Sequence, residues 1–432
     1  MGNGRLLGVE EALDRVLRAV QPLPPETVTI EEAAGLVLAA PVVAGTSLPP
    51  WDNSAMDGYA VRWRDVAAAS PATPTELRVV GESAAGHVPE PAGEPGTALR
   101  ITTGAMVPVG ADAVVPVEAT DTPPGVVRLP VRVQVRAPVA PGANIRRAGE
   151  DVREGALVLE AGRVLGPAAI ALAAACGNAR LLVHRRPRVG VLATGDELTP
   201  PGTALPPAHI YDSSTLSLLA QARAAGAIAT SFGIAPDEPS ELRERLGAAV
   251  AASDVVVLSG GVSVGAHDHV REALGAMGEV EFWRVAVQPG KPLAFGRVPA
   301  ARPEVPGGEV RPVAVFGLPG NPVSSFVTFE LFVRPLLRRL AGRAPGTGRR
   351  EVTAELSEAV RKDPERRAFL RVRLEPDPAR PGRLLARPAG GQGSHVLSAL
   401  AAANGLAVVP EGVPGLPAGQ PVTVWELEDE HD

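Results

Sequence analysis

The chain has 432 residues, 45% of them hydrophobic, and a formal net charge of −6. That length buries several cores and predicts about three domains, while the mildly acidic balance gives no electrostatic case for nucleic acid or an anionic membrane as partner. The single cysteine, Cys176, excludes an internal disulfide and a cysteine metal cluster and favours a reducing, cytoplasmic setting. No signal-peptide pattern opens the chain, and its longest apolar stretch (164–179) is interrupted by Pro167 and Gly177 and is too short to span a bilayer.

In chain order, VEEALDRVLRAV (9–20) puts Val9, Leu13, Val16, Leu17 and Val20 on one helical face. A second short helix is predicted over 30–40, ended by Pro41. Pro49 and Pro50 then break the chain before WDNSAMDGYAVR (51–62). Aromatics make up only 3% of the chain, so a solvated linker would not spend Trp51, Met56 and Tyr59 there. The segment reads as a loop packed at an interface and presenting Asp57. Short β-rich pieces punctuated by Gly and Pro run from about 77 to 139 and read as a small all-β unit. NIRRAGED (144–151) sets two arginines beside two acids, as an ion-pair hinge or an anion site. Helix returns at Pro167 and runs to Gly177.

From 187 to 325 one device occurs three times: a β-branched apolar strand that empties into a glycine-rich loop. The copies are RVGVLATGDEL (188–198), DVVVLSGGVSVGAHD (254–268) and VAVFGLPGNPVS (313–324). Runs such as VVVL read as strands buried on both faces, hence a parallel sheet covered by helices. Ligands in such sheets bind outside the carboxyl ends of the strands. The intervening helices are predicted over 213–227, capped by Ser213 or Ser214, and over 239–253, capped around Pro239 and Ser240.

SGGVSVG is neither a Walker A loop nor a dinucleotide fingerprint. Gly260 and Gly261 nevertheless follow a buried strand, where backbone amides cradle anions. One such loop reads best as a tight turn; three in one block point to a phosphate-bearing ligand. The carboxylates Asp196, Glu197, Asp212, Asp237 and Asp268 all fall past predicted strands or in connecting loops. Such hard oxygen ligands suit Mg²⁺ bridging to substrate phosphates. Singly, each reads as a helix cap or solvated loop acid. His267 and His269 flank Asp268, but two histidines without a third ligand do not make a zinc site. Only two lysines, Lys291 and Lys362, stand against forty arginines. Lys291, in PGKP, is therefore where a compact ammonium is wanted instead of a planar fork. Residues 343–350 read as a linker, and the tail from 351 alternates as strands.

WDNSAMDGYAVR, NIRRAGED, TGDEL, IYDS, SGGVSVGAHD, WRVAVQPGKP, GLPGNPVS and GQGSH, in that order, closely resemble the molybdopterin molybdenumtransferase family, the bacterial relatives of the gephyrin E domain. The resemblance spans about 8–425. It implies a multi-domain α/β plus β fold: a linker piece split between 1–48 and 149–182, an inserted β-rich domain over 49–148, a central molybdopterin-binding α/β domain with a mostly parallel sheet over 183–343, and a C-terminal β domain over 344–432, assembled as an elongated homodimer. The reaction implied is Mg²⁺-dependent cleavage of adenylated molybdopterin, releasing AMP as molybdate joins the dithiolene. The nearest alternatives are a non-catalytic molybdopterin-binding scaffold and a molybdopterin adenylyltransferase.

By the same resemblance, Asp57, Asp237, Asp268 and Lys291 are catalytic, with Asp57 and Thr103 reaching across a dimer. Thr103, Asp212, Gly260, Gly261, Ser263, Gly265, Pro319, Gly320 and Asn321 bind the substrate. Lys291, Ser324, Arg366, Arg371 and Ser394 receive molybdate, and Glu197, Asp237 and Asp151 hold the metal. Gln288 stands where some members carry lysine, which places more of the anion's charge on Lys291.

Overall fold

The VVVL run becomes the buried centre of a six-stranded sheet. In the computed structural model, residues 6–92, 94–123, 128–260, 269–301, 310–344, 346 and 348–427 are described. The strands lie in the order Ile228–Ala235, Arg188–Thr194, Val255–Ser259, Val310–Leu318, Pro292–Ala301, Glu279–Arg284. The first four run parallel, and Pro292–Ala301 runs antiparallel to both of its neighbours. Side chains alternate across a strand: Val255 and Val257 enter the core shared with helices Ser214–Ala224 and Pro322–Thr328, while Val256 and Leu258 enter the core under helices Pro239–Ala252 and His269–Met277. The three strand-and-loop copies are thus three adjacent strands, and their loops leave from one edge.

The linker unit is assembled from both sides of the insertion. Strand Arg180–His184 pairs with Pro25–Thr29 on one side and with Val37–Leu38 on the other, and Leu157–Leu159 pairs with Val42–Val43. The helix predicted over 30–40 does not form. Gly35 adopts φ +74, which ends any helical run, and the apolar Val37 and Leu38 find their partners in His184 and Val183. The first helix spans Val9–Arg18 and the later one Pro167–Ala175.

The insertion is a five-stranded sheet ordered Ala113–Pro116, Gly58–Val61, Thr97–Ile101, Thr75–Ser83, Arg132–Val135. It begins inside the tryptophan-bearing segment: Tyr59 is buried in its core, whereas Trp51 and Met56 stay exposed. The sequence reading of that whole segment as a packed loop is corrected accordingly, because Gly58–Val61 is a central strand.

The C-terminal sheet closes on itself. From Arg367–Pro376 the order runs through Leu384–Pro388, Glu351–Leu356, Pro421–Glu426 and Gly405–Val409, which pairs back with Arg367–Pro376. Outside this ring, the short strand Val287–Gln288 adds in parallel to Arg367–Ala368. The stretch around it also pairs with the amino-terminal segment, through Leu7 N–H to Arg284 O at 2.7 Å and Ala286 N–H to Leu7 O at 2.8 Å. WRVAVQPGKP is therefore a junction of three parts of the chain.

Candidate functional site

The three loops meet at the carboxyl edge of the sheet. Gly260 has φ +96, and a Cβ there would lie 2.9 Å from Thr194 O, so only glycine fits between the two loops. Gly260 N–H donates to Leu318 O at 3.1 Å, and Gly320 sits against Gly260. The buried Thr194 hydroxyl beside this crossing has no partner among the described residues. Pro319 is buried, while Gly320 and Asn321 are exposed at the rim, Asn321 as the residue before helix Pro322–Thr328. Gly261, Ser263, Gly265 and Asp268, like His267, lie outside the described residues.

A cleft of about 550 Å³ opens beside these loops, lined by Gly195, Asp196, Asp212, Thr215, Ser231, Gly233 and Arg245 among others. Asp237 N–H donates to Asp196 Oδ1 at 3.0 Å, which brings the two acids side by side. Gly195, at φ +142, has the Glu197 carboxylate folded over it, 2.4 Å from where a Cβ would stand. Helix Pro239–Ala252 is capped by Glu238, whose Oε2 accepts from Glu241 N at 2.9 Å. That corrects the expected Pro239–Ser240 cap and leaves the Asp237 carboxylate out of the capping role. Likewise Asp212, not Ser213 or Ser214, caps helix Ser214–Ala224, with Oδ1 accepting from Thr215 N at 3.0 Å. Asp212 is only 6% exposed, yet it lines the cleft.

Two of the proposed metal ligands share this edge. Glu197 and Asp237 flank Asp196, whereas Asp151 sits in the linker. There its N–H donates to Leu48 O at 3.0 Å, and its charge adds to burial in pushing the Cys176 thiol up. Among the described residues no three His, Cys, Asp or Glu side chains converge. A pair of carboxylates suits Mg²⁺ better than a closed cage would, because Mg²⁺ keeps waters and takes substrate phosphate oxygens.

A second cluster forms around helix Pro322–Thr328. Gly290, at φ +114, approaches Thr328 so closely that a Cβ would lie 2.5 Å from its Cγ2, which seats the PGKP turn on that helix. Lys291, exposed at the turn's end, forms no ion pair among the described residues. Ser324, in the helix's first turn, is buried. Val323 N–H donates to Ser394 O at 3.2 Å, bringing the GQGSH turn to the same helix end. Arg371 braces that turn, donating from Nη2 to Gly391 O and Gly393 O at 3.1 Å each. It is 1% exposed, its Nε has no partner, and no carboxylate pairs with it among the described residues. Burial pushes its pKa down to about 10. Arg366 differs, since its Nε is held 2.7 Å from Asp363 Oδ2. Gln288 Oε1 accepts from Asp363 N at 3.2 Å, so its amide secures the same loop.

The inserted domain presents Asp57 and Thr103 together. Asp57 Oδ1 accepts from Thr103 N at 2.7 Å and from Thr103 Oγ1 at 2.9 Å. The backbone bond first, then the hydroxyl, holds the Asp57 carboxyl below the usual carboxylate range. At the base of this domain Asp52 accepts from Ala148 N at 2.8 Å and from Arg147 Nη1 at 2.6 Å. The Arg147 guanidinium therefore pairs with an acid outside NIRRAGED, not with Glu150 or Asp151 beside it.

Sequence reasoning missed Thr215 and Arg245. The buried Thr215 hydroxyl lines the cleft without a partner among the described residues; its place just after the Asp212 cap was the available signal. Arg245 lines the same cleft while bonded to Ile234 O at 2.7 Å and to Glu241. Nothing local to its helix announces that.

Three family descriptions match the chain. They are the MoeA N-terminal region (domain I and II) over residues 7–177, a probable molybdopterin binding domain over 190–339, and the MoeA C-terminal region (domain IV) over 353–427. A Mycobacterium tuberculosis protein called molybdopterin molybdenumtransferase 2 is 42% identical over 424 residues, 97% of this chain and 98% of its own length. Two solved structures described as molybdopterin biosynthesis MoeA protein from Pyrococcus horikoshii match with TM-scores of 0.80 and 0.75, at 33% and 29% identity. Each match covers 98% of this chain and 100% of the other.

Proposed function

The chain belongs to the molybdopterin molybdenumtransferase family and inserts molybdenum during molybdenum cofactor biosynthesis; from that premise we propose that insertion is coupled to Mg²⁺-dependent cleavage of adenylated molybdopterin, with release of AMP. The observation that carries this reading is Arg371. A buried guanidinium without a carboxylate among the described residues, turned to the glycine loop whose Ser394 O meets Val323 N–H, calls for an anion. A molybdate dianion meets that need next to an edge whose glycine loops suit a pyrophosphate.

Each group has a separate task. The glycine loops after Thr194 and Leu318, held against Gly260, form the edge that receives and orients the phosphates. Glu197 and Asp237 would hold the divalent cation, which neutralises charge on the phosphates when bound, and Asp196 fixes the Asp237 loop beside them. Lys291, Ser324, Arg371 and Ser394 receive the molybdate, and Arg366, already committed to Asp363, supports that loop from behind. Asp212 fixes the start of helix Ser214–Ala224 and so the wall of the cleft. The protein works as a homodimer in which Asp57 and Thr103 of one subunit complete the site of the other. Support for this last point is the exposed, ionised Asp57 held by Thr103 on the inserted domain, whose two chain crossings are tied at the linker by Asp151 N–H to Leu48 O.

The test is AMP release from adenylated molybdopterin on adding molybdate. Glu197→Ala should abolish release at unchanged melting temperature, because Glu197 is an exposed loop residue. An active variant removes the metal assignment, and a parent enzyme that releases no AMP removes the coupling.

A further inference from the structure

The molybdate residues come from two domains: Ser324 and Lys291 from the α/β domain, Arg371 and Ser394 from the C-terminal ring. Their spacing therefore depends on how the ring is docked. Helix Pro322–Thr328 continues through a π-helical turn, Phe329–Val333, into helix Arg334–Leu340. Pro335 has no N–H to offer the carbonyl one α-helical turn back, and in the widened turn Arg334 N–H reaches Phe329 O, five residues earlier. Such turns recur at functional sites.

Glu330 lies in that turn at 0% exposure, with the buried Arg334 of its own helix 3.8 Å from its Oε2. Its Oε1 accepts from Gln221 Nε2 at 2.8 Å, and its Oε2 accepts from Arg349 Nε at 2.9 Å. Arg349, whose side chain is 4% exposed, also donates from Nη1 to Leu427 O at 2.8 Å. One guanidinium thus joins the α/β helix to the final strand of the ring. At the other end of the same helix, Val323 N–H holds Ser394 O. Between these tethers Phe369, Leu400 and Leu406 of the ring share the core of the α/β domain.

We propose that Glu330 and Arg349 are positioning residues for molybdate: as a buried latch they fix the ring's orientation on helix Pro322–Thr328 and so the distance between Arg371 and Ser324. The inference rests on the molybdate reading above and adds residues that touch neither substrate. A buried ion pair is weak evidence for stability but a strong orientational constraint, since its partners tolerate few geometries. A small displacement of one wall is enough to weaken an anion held from both sides.

The experiment compares Arg349→Met, Arg349→Lys and the parent by equilibrium dialysis with molybdate, by AMP release, and by trypsin cleavage after Arg343, a site that all three keep. Arg349→Met should weaken molybdate binding about tenfold. Half-saturation by adenylated molybdopterin should stay within about twofold and the rate at saturating molybdate near the parent's, while cleavage accelerates. Arg349→Lys, which keeps the charge but not the two-pronged reach, should recover part of the affinity. If Arg349→Met fails to fold, Glu330→Gln carries the same comparison. Unchanged molybdate binding despite faster cleavage overturns the latch, as does a parallel fall in both substrates' binding. A parent that binds no molybdate overturns the molybdate reading itself, and the latch with it.

Discussion

Replacing Arg371 by methionine tests whether its burial serves an anion or the fold. The guanidinium is 1% exposed and, among the described residues, donates only to the carbonyls of Gly391 and Gly393. The fall of its pKa from the ordinary guanidinium value to about 10 by burial corresponds to roughly 3 kcal/mol against the charged form. Two charge-assisted hydrogen bonds contribute about 1.5 kcal/mol each at the low end of their range, and nearly offset it. Without ligand, Arg371→Met should therefore change stability by about 1 kcal/mol or less, no more than a few degrees in Tm. Molybdate at a hundredfold excess over its Kd stabilises the parent by about 2.7 kcal/mol, and that increment should vanish in the variant. Paired thermal melts with and without molybdate read both quantities. A variant that melts far below the parent without molybdate, or that keeps the full molybdate-dependent rise, refutes the argument.

Mixing Asp57→Asn subunits with Glu197→Ala subunits should restore one working site per heterodimer, read as AMP release from a mixture of two inactive proteins; mixed dimers that stay inactive would locate the whole site in one chain. The Asp57 carboxyl, held below its usual range by Thr103, remains ionised above about pH 3.9, the ordinary aspartate value. The stability that this pairing contributes is complete above that value and is lost as pH falls through the lowered one. Thr103→Val keeps the backbone donor and removes the hydroxyl, so it should move the acid limb of the pH–rate profile up towards that value. A limb that does not move means Asp57 does not control it.

The parts that were legible in the sequence were those whose cause is local. VVVL and its two companions announce buried strands because nothing else accommodates unbroken β-branched runs, and once parallel they must deliver their loops to one edge. The Gly260 loop was readable as a tight turn, though not that Thr194 would close over Gly260 or Glu197 over Gly195. What failed depended on distant partners. The segment 30–40 looked helical because its strand partner, Arg180–His184, arrives only after the insertion. The caps were misassigned by one or two residues, since Asp212 and Glu238 outcompete the adjacent serines. Glu330 was overlooked although a lone acid in FELFV, four residues before Arg334, was a visible anomaly.

The WRVAVQPGKP junction has a consequence for how the chain is made. Its outer strand, Glu279–Arg284, can form as soon as Pro292–Ala301 is available, because both lie within one sheet. The stretch between them cannot settle then: Ala286 O waits for Arg367 N–H, and Val287–Gln288 waits for Arg367–Ala368. During synthesis the turn that carries Lys291 is consequently among the last features to mature, after the ring's longest strand has emerged. A chain cut before that strand would retain most of its sheet yet leave this turn without its outer support. The support of this turn thus comes through contacts of very long sequence separation.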